Sequence, residues 1–319
     1  MTQVLVTGAN GFVGSTLCPM LAAAGYAVRA ALRTGTTAPA GVAECVTIGA
    51  IGGATDWNEA LQGVELVIHL AARAHAVDVG PRCDELYAET NSNGTRLLAA
   101  EAARHGVRRF VYLSSVKVNG EENSVPYSVR DPPQPQDAYG RSKWLAEQCL
   151  WETASTAPMQ VAVVRAPLVY GPGVRANFLR LLSWVDRGRP LPFGAVHNRR
   201  SLVSGWTLCD LLIRLLAHPR AVNRTWMVSD GDDVSTAELV GRIASAMGRR
   251  ARLWAIPPPL LRAAGGLLGR GAEMRRLCGS LTVDIGPTLA LLEWSPPLSM
   301  DEALVRTASW YTQQRGRSG

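Results

Sequence analysis

The sequence predicts an α/β fold, a doubly wound parallel sheet with a smaller C-terminal lobe. Three observations lead there. A short β-branched run, QVLVTG (3–8), meets a glycine-rich turn and then an amphipathic segment. Apolar strand-like runs go on alternating with helix-like ones as far as residue 171. Beyond that point the segments shorten and become richer in Pro, Gly and Arg. Strands that alternate with helices form parallel sheets, because each helical crossover returns the chain to the same end of the sheet.

After the first strand, STLCPMLAAAG (15–25) reads as a helix closed by Gly25. Pro19 removes one backbone donor inside it and predicts a kink. AVRAALR (27–33), ECVTIGA (44–50) and VELVIHLAA (64–72) are the second, third and fourth strands. NSNGTRLLAAEAARHG (91–106) is a long helix ended by Gly106. RRFVYLSS (108–115) is the fifth strand, YGRSKWLAEQCLWETA (139–154) a helix, and QVAVVRAPLVYG (160–171) the sixth strand. VRDPPQPQDAYG (129–140) is a loop, because prolines spaced so closely cannot sit in a helix. Residues 1–171 therefore read as one sheet domain and 172–319 as mostly a second lobe. Pieces near 200–230, such as TWMVSDG (225–231), return to the sheet. No tandem repeat or low-complexity tract is present.

The chain has 319 residues, 47% hydrophobic and 18% charged, ample for a large core in a water-soluble enzyme. Its net charge is +7, with no long Lys/Arg run and no aromatic-interleaved basic stretch, which argues against nucleic acid. A mild positive field suits an anionic small molecule. The cysteines at 18, 45, 83, 149, 209 and 278 show no CxxC or CxxH spacing, so neither a zinc site nor a disulfide framework is expected. Reduced thiols in the cytoplasm are the expectation. The first strand begins at once, leaving no room for a signal peptide, and no apolar run reaches the length of a membrane span. PPPLLRAAGGLLGR (257–270) has two readings, a segment lying on a membrane surface or one packed inside the second lobe; packing is the expected one.

TGANGFVG (7–14) supplies Gly8, Gly11 and Gly14 between a strand and a helix. There, backbone amides can approach a pyrophosphate at a helix N-terminus. YGRSK places Lys143 one helical turn after Tyr139, so both project from one face. A nearby ammonium favours the phenolate and tunes the phenol for proton transfer at a carbinol oxygen. Ser115 ends the fifth strand, where doubly wound sheets place ligands, and can hold the same oxygen. A surface Tyr–Lys pair is the competing reading, and Ser115 tips the balance.

These motifs resemble the extended short-chain dehydrogenase/reductases of the NAD-dependent epimerase/dehydratase group. HLAA (69–72), NSNGT (91–95), VYGPG (169–173) and EWSPPLSMDEAL (293–304) fall in that family's order. The resemblance implies a Rossmann-type dinucleotide-binding domain over residues 1–171 and a nucleotide-sugar-binding lobe after it. It implies Tyr139 as acid/base, Ser115 on the reacting oxygen, and Lys143 on the nicotinamide ribose. It implies cofactor contacts from Gly8, Gly11, Phe12, Val13 and Gly14, from Leu70, Ala71 and Ala72, and from Asn93 or its neighbour Asn91. A homodimer is the family expectation, through the helices at 93–106 and 139–154.

Two departures narrow the reaction. Family members that dehydrate sugars carry an Asp-Glu pair after the serine or threonine, whereas this chain has Val116 and Lys117. An ammonium cannot replace a carboxylate base, which leaves 4-epimerisation and ketone reduction. NAD-specific sites place an acid at the end of the second strand. Here that strand ends AALRTG, with Arg33 available for a 2′-phosphate or for solvent, and Ala50 stands where many relatives carry an adenine-binding Asp. Arg33 leans toward NADP(H), with NAD(H) as the alternative, and so toward a reductase that exchanges its cofactor each turnover.

SSVKVNGE, GPGVRANFLRLL, LPFGAVHNRRSLV and RLCGSLTVD further resemble bacterial UDP-N-acetylquinovosamine dehydrogenases of O-antigen assembly. Those reduce the 4-keto group of a UDP-4-keto-6-deoxy-N-acetylhexosamine. The resemblance suggests Asn177 and Arg200 for the UDP group, with Arg200 on the diphosphate. Phe193 flanks the uracil or belongs to the core, and Arg276 is a further diphosphate candidate. Leu168 replaces the Asn of many epimerases. Only two of the 33 basic residues are lysines, Lys117 and Lys143. Lys117 orients the keto sugar or a diphosphate oxygen, or it reaches solvent. The competing functions are a UDP-sugar 4-epimerase with tightly bound NAD, a non-catalytic NADP-binding regulator and a steroid- or flavonoid-type reductase.

Overall fold

In the computed structural model, which describes residues 1–74 and 83–317, Gln3–Thr7 (β1) is buried along most of its length and lies in the interior of the main sheet. The chain then makes Gly14–Ala23 (α1), Ala27–Leu32 (β2), Glu44–Thr47 (β3), Asn58–Leu61 (α2) and Leu66–His69 (β4). Next come Cys83–Tyr87 (α3), a π-helical turn at Ala88–Asn93, Gly94–Arg104 (α4) and Arg109–Ser115 (β5). A short 3-10 turn at Val116–Val118 and a loop lead to Ala138–Thr156 (α5) and Gln160–Ala166 (β6). Seven strands form the sheet in the order β3-β2-β1-β4-β5-β6-β9, every pair parallel, where β9 is Arg224–Met227. Val4, Val6, Leu66, Ile68, Val111 and Val164 pack on one face with α1; Leu5, Val67, Phe110, Tyr112 and Val163 pack on the other with α4 and α5. Burial on both faces is why these strands read as continuous apolar runs rather than alternating ones.

The run at 160–171 is two strands, not one. Pro167 has no N–H to give to a ladder, and the chain turns out of the sheet there. Leu168–Tyr170 (β7) pairs instead with Leu202–Ser204 (β8), and Ala176–Asp186 (α6) lies between them in sequence. Gly205–Ala217 (α7) then runs back against α1, and β9 joins the sheet beside β6. The second lobe has its own core of Phe178, Leu182, Val196, Val240, Ile243 and Leu304. It is built from α6, Thr236–Ala246 (α8), Pro258–Leu267 (α9), Gly271–Cys278 (α10) and Met300–Arg317 (α12). Gly286–Leu292 (α11) departs from the lobe, with Leu292 and Trp294 packed into the sheet domain's core.

Within 257–270, only Leu261 and Gly265 of α9 are buried. Leu260, Leu267 and Leu268 are exposed, so this segment packs in the lobe by one narrow face alone.

Candidate active site

The strand order reverses between β1 and β4, and open parallel sheets bind ligands at the C-terminal edge of that reversal. The glycine turn lies there. Gly8 holds φ +69°, and a Cβ on it would stand 2.8 Å from the Ala71 nitrogen. A Cβ on Gly14 would stand 2.3 Å from the Gly8 oxygen, so turn, strand end and helix touch backbone to backbone where only glycine fits. The first turn of α1 carries no side-chain cap and no acid. The dipole of this N-terminus therefore suits a bound anion, which is what a dinucleotide pyrophosphate requires. The side chains of Phe12 and Val13 pack against the lobe and sheet cores, which pins the turn between them.

Leu70, Ala71 and Ala72 follow β4 directly beside this turn. The Ala71 N–H donates to Thr7 Oγ1 (3.2 Å). Thr7 Oγ1 lies 2.6 Å from His69 Nδ1, whose Nε2 lies 2.9 Å from Thr95 Oγ1. Burial, aided by Lys143, lowers the His69 pKa to about 3, so this imidazole is neutral and joins β1, β4 and α4. Arg33 is exposed just beyond β2, and Ala50 is exposed just beyond β3.

Of the two asparagines expected on the cofactor side, Asn93 and Asn91, Asn93 is the exposed one. Its side chain is exposed and donates to Glu89 Oε2 (2.7 Å). Asn91 is the residue that faces inward. It accepts from the Arg73 N–H (2.8 Å) and donates to the Arg73 carbonyl (3.0 Å) and to Ser142 Oγ (2.9 Å). Residues two apart on a helix point to nearly opposite sides, so only one of the two asparagines can face inward.

Ser115, Tyr139 and Lys143 come together beside that edge. The Ser115 and Tyr139 hydroxyls interact, and Tyr87 meets the Tyr139 ring edge-on at 6.1 Å. Lys143 Nζ donates to the Leu113 carbonyl (2.7 Å), lies 4.5 Å from the Tyr112 ring centroid and 6.0 Å from that of Tyr139. The ionisation differs from the sequence expectation. Burial raises the Tyr139 phenol above its usual value, the Ser115 contact lowers it in part, and Asp137 and Tyr87 raise it further. Burial also lowers Lys143 to about 7, against the pull of Glu147.

Beneath the trio lies a buried network that sequence reasoning missed. Glu147 accepts from Ser114 Oγ (2.5 Å) and from Arg165 Nη2 (2.7 Å), and Arg165 also donates to Asn119 Oδ1 (3.1 Å). Both charged side chains are at most 4% exposed. The available signal was spacing: Tyr139, Lys143 and Glu147 recur every fourth residue on one helical face.

Lys117 is held by two carboxylates. Its Nζ donates to Glu121 (2.8 Å) and to the carboxylate of Asp137. Asp137 caps α5, accepting from the Gly140 N–H (2.7 Å), two residues from Tyr139. Burial would raise the Asp137 pKa, but the Lys117 and Gly140 hydrogen bonds outweigh it and hold the carboxyl low.

On the lobe side, Arg200 donates to the carbonyls of Arg276 and Gly279, and its guanidinium and that of Arg276 feel each other's charge. Asn177 is exposed on the first turn of α6, after Ala176 at φ +51°, a strained conformation for alanine. It accepts from Arg180 (3.4 Å), which also pairs with Glu273 of α10 (3.0 Å). Asn177, Arg200 and Arg276 are thus gathered around α10. Phe193 is 2% exposed within the lobe core, so of its two readings the packing one holds.

Residues 4–229 match the model of the NAD dependent epimerase/dehydratase family. The chain is 40% identical to a UDP-glucose 4-epimerase of Vibrio cholerae, over 99% of this chain and 97% of that one. It is 28% identical to an N-acetyl-alpha-D-glucosaminyl-diphospho-ditrans,octacis-undecaprenol 4-epimerase of Escherichia coli O157:H7, over 84% of this chain and 77% of that one. In fold it matches a UDP-glucuronic acid 4-epimerase from Bacillus cereus in complex with NAD, with a TM-score of 0.79 at 20% identity, covering 98% of this chain and 99% of that chain.

Proposed function

The chain belongs to the NAD dependent epimerase/dehydratase family, and on that premise we propose that it moves a hydride to or from C4 of the hexose of a UDP-sugar. The observation that carries this reading is the meeting of Ser115, Tyr139 and Lys143 beside the Gly8–Gly14 turn. A bound nicotinamide dinucleotide supplies or takes the hydride. Tyr139 exchanges the proton at the C4 oxygen, and Ser115 hydrogen-bonds that oxygen. Lys143 holds the cofactor ribose and sets the ease of proton release from Tyr139, with Asn91 supporting that side of the site. The lobe arginines Arg200 and Arg276 take the diphosphate, for which a guanidinium is suited by its paired donors.

Of the two directions, reduction of a UDP-4-keto-6-deoxy-N-acetylhexosamine is the one the residues favour. Val116 and Lys117 remove the carboxylate pair of a dehydratase, and Lys117 is committed to Asp137 and Glu121. The end of β2 offers the exposed Arg33 and no acid, which supports a cofactor that exchanges, as NADPH or NADH. The family description and the Bacillus cereus neighbour name NAD, so NADPH preference rests on Arg33 alone. The second reading is 4-epimerisation with retained NAD, favoured by the 40% identity to the Vibrio cholerae enzyme.

The test is cofactor oxidation on adding the 4-keto substrate, with NADPH and NADH in parallel. Rapid oxidation to a UDP-6-deoxy sugar is expected, and Tyr139→Phe should slow it about 10³-fold while cofactor binding persists. Interconversion of gluco and galacto UDP-sugars without added reductant would instead make it an epimerase. Turnover unchanged by Tyr139→Phe would remove the mechanism in either direction.

A further inference from the structure

Residues 239–283 hold eight arginines and one acid, Glu273. This segment alone therefore carries +7, the net charge of the whole chain, and all the rest balances to zero. Arg242 and Arg249 are paired with Asp232, Asp301 and Asp186, and Glu273 is paired with Arg180. Arg250, Arg252, Arg262, Arg270 and Arg275 are exposed, and none has a carboxylate partner among the described residues.

The same segment exposes apolar surface. Leu261 and Gly265, one turn apart on α9, face α10, and a Cβ on Gly265 would lie 2.3 Å from Met274 Cγ. The opposite side is apolar too. Leu260 and Leu267, two turns apart, are 60% and 91% exposed, and Leu268 is 75% exposed. Between Leu260 and Leu268 the only polar side chain is Arg262. A helix apolar all round is ordinarily covered on every side. This one is covered on one.

No helix among the described residues is long and apolar enough to cross a membrane. Leucines flanked by unpaired arginines on a short helical hairpin suit the boundary of a bilayer, with leucines among the acyl chains and guanidiniums on anionic headgroups. We propose that the α9–α10 hairpin docks this protein on an anionic phospholipid surface. A second copy of the chain is a poor occupant, because a symmetric contact through this face would set the hairpin's Arg262, Arg270 and Arg275 against a second set of the same charge. The end of α10 adjoins the candidate site. Arg200 is bonded to the carbonyls at the end of α10, and the following strand segment packs Leu281 and Val283 against Val116, next to Ser115. Docking therefore holds the cleft beside the membrane surface, whether C4 is reduced or epimerised.

The full chain should be sedimented with vesicles of phosphatidylglycerol and phosphatidylcholine, and with phosphatidylcholine alone, at low and high salt. Binding is expected to the anionic vesicles at low salt, about tenfold weaker on neutral vesicles or at high salt. The double variant Leu267→Glu/Leu268→Glu and the triple variant Arg262→Gln/Arg270→Gln/Arg275→Gln should each weaken it about tenfold. Because all five residues are exposed, both variants should keep the wild-type circular dichroism and melting temperature. No binding, or equal binding to anionic and neutral vesicles, overturns the proposal. So does a lipid-free dimer that Leu267→Glu/Leu268→Glu turns into a monomer, which would give the face to a second copy.

Discussion

The two lysines of this chain hold different offices, and burial separates them. Lys143 is 2% exposed and Lys117 is half-buried between two carboxylates. Lys143 has its pKa depressed to about 7, so the folded chain resists a proton that the unfolded chain accepts below about 10.5. The sign follows: stability at this site falls as pH drops from about 10.5 towards 7 and rises with pH across that window. Lys143→Met should therefore stabilise the protein at neutral pH by roughly 1–3 kcal/mol, less the lost bond to the Leu113 carbonyl, while abolishing turnover. Urea unfolding at neutral pH and near pH 10 should show the gain shrinking at the higher pH. A variant less stable than wild type at neutral pH would mean the ammonium is stabilised within the fold. The Tyr139–Lys143 spacing was legible in the sequence; the depressed lysine was not, because burial comes from residues distant in the chain, such as Tyr112 and Leu113.

Among the elements, α5 carries the chemistry, and three contacts fix its position. Asp137 caps its first turn, Lys117 braces Asp137, and Glu147 bonds Ser114 of β5 and Arg165 of β6 from below. Cap replacement costs about 1 kcal/mol in ordinary helices. Asp137→Ala should cost that much in stability and lower kcat about three- to tenfold, because the freed turn carries Tyr139. Comparing kcat with cofactor affinity checks this, since cofactor binding at the Gly8–Gly14 turn should not move. If kcat and cofactor affinity are both unchanged, the cap does not position Tyr139. The helix itself was plain from sequence, as were the strands on either side. The brace was not, since Lys117 and Asp137 are twenty residues apart across a proline-rich loop whose path local pattern does not fix. Likewise, which of Asn91 and Asn93 faces inward depends on the helix phase, and the π-helical turn at 88–93 leaves no mark on apolar spacing.

Across the whole molecule, the lobe is joined to the sheet domain by a buried polar link. Tyr170 of β7 donates to Asp230 (2.7 Å), just past β9, and Asp230 accepts from the Ser204 N–H (3.0 Å) at the end of β8. Tyr170 is fully buried. Tyr170→Phe should lower the unfolding free energy by roughly 1–3 kcal/mol, because Asp230 keeps the Ser204 bond but loses its hydroxyl donor. Denaturant unfolding measures this directly, and a change within about 0.5 kcal/mol would show that the link carries no net stability. The sequence by itself determined the alternating α/β order, the glycine turn and the Ser115–Tyr139–Lys143 set, since each depends on local spacing or composition, and the resemblance of these motifs pointed to the family. Only the tertiary structure decided that Pro167 sends the chain out of the sheet to pair β7 with β8. It also decided that α11 returns to the sheet domain, that Phe193 is core and that Leu260, Leu267 and Leu268 are exposed. The physical reason is common to these: pairing and burial are set by which distant surfaces meet, and an apolar residue reads the same in sequence whether or not a partner covers it.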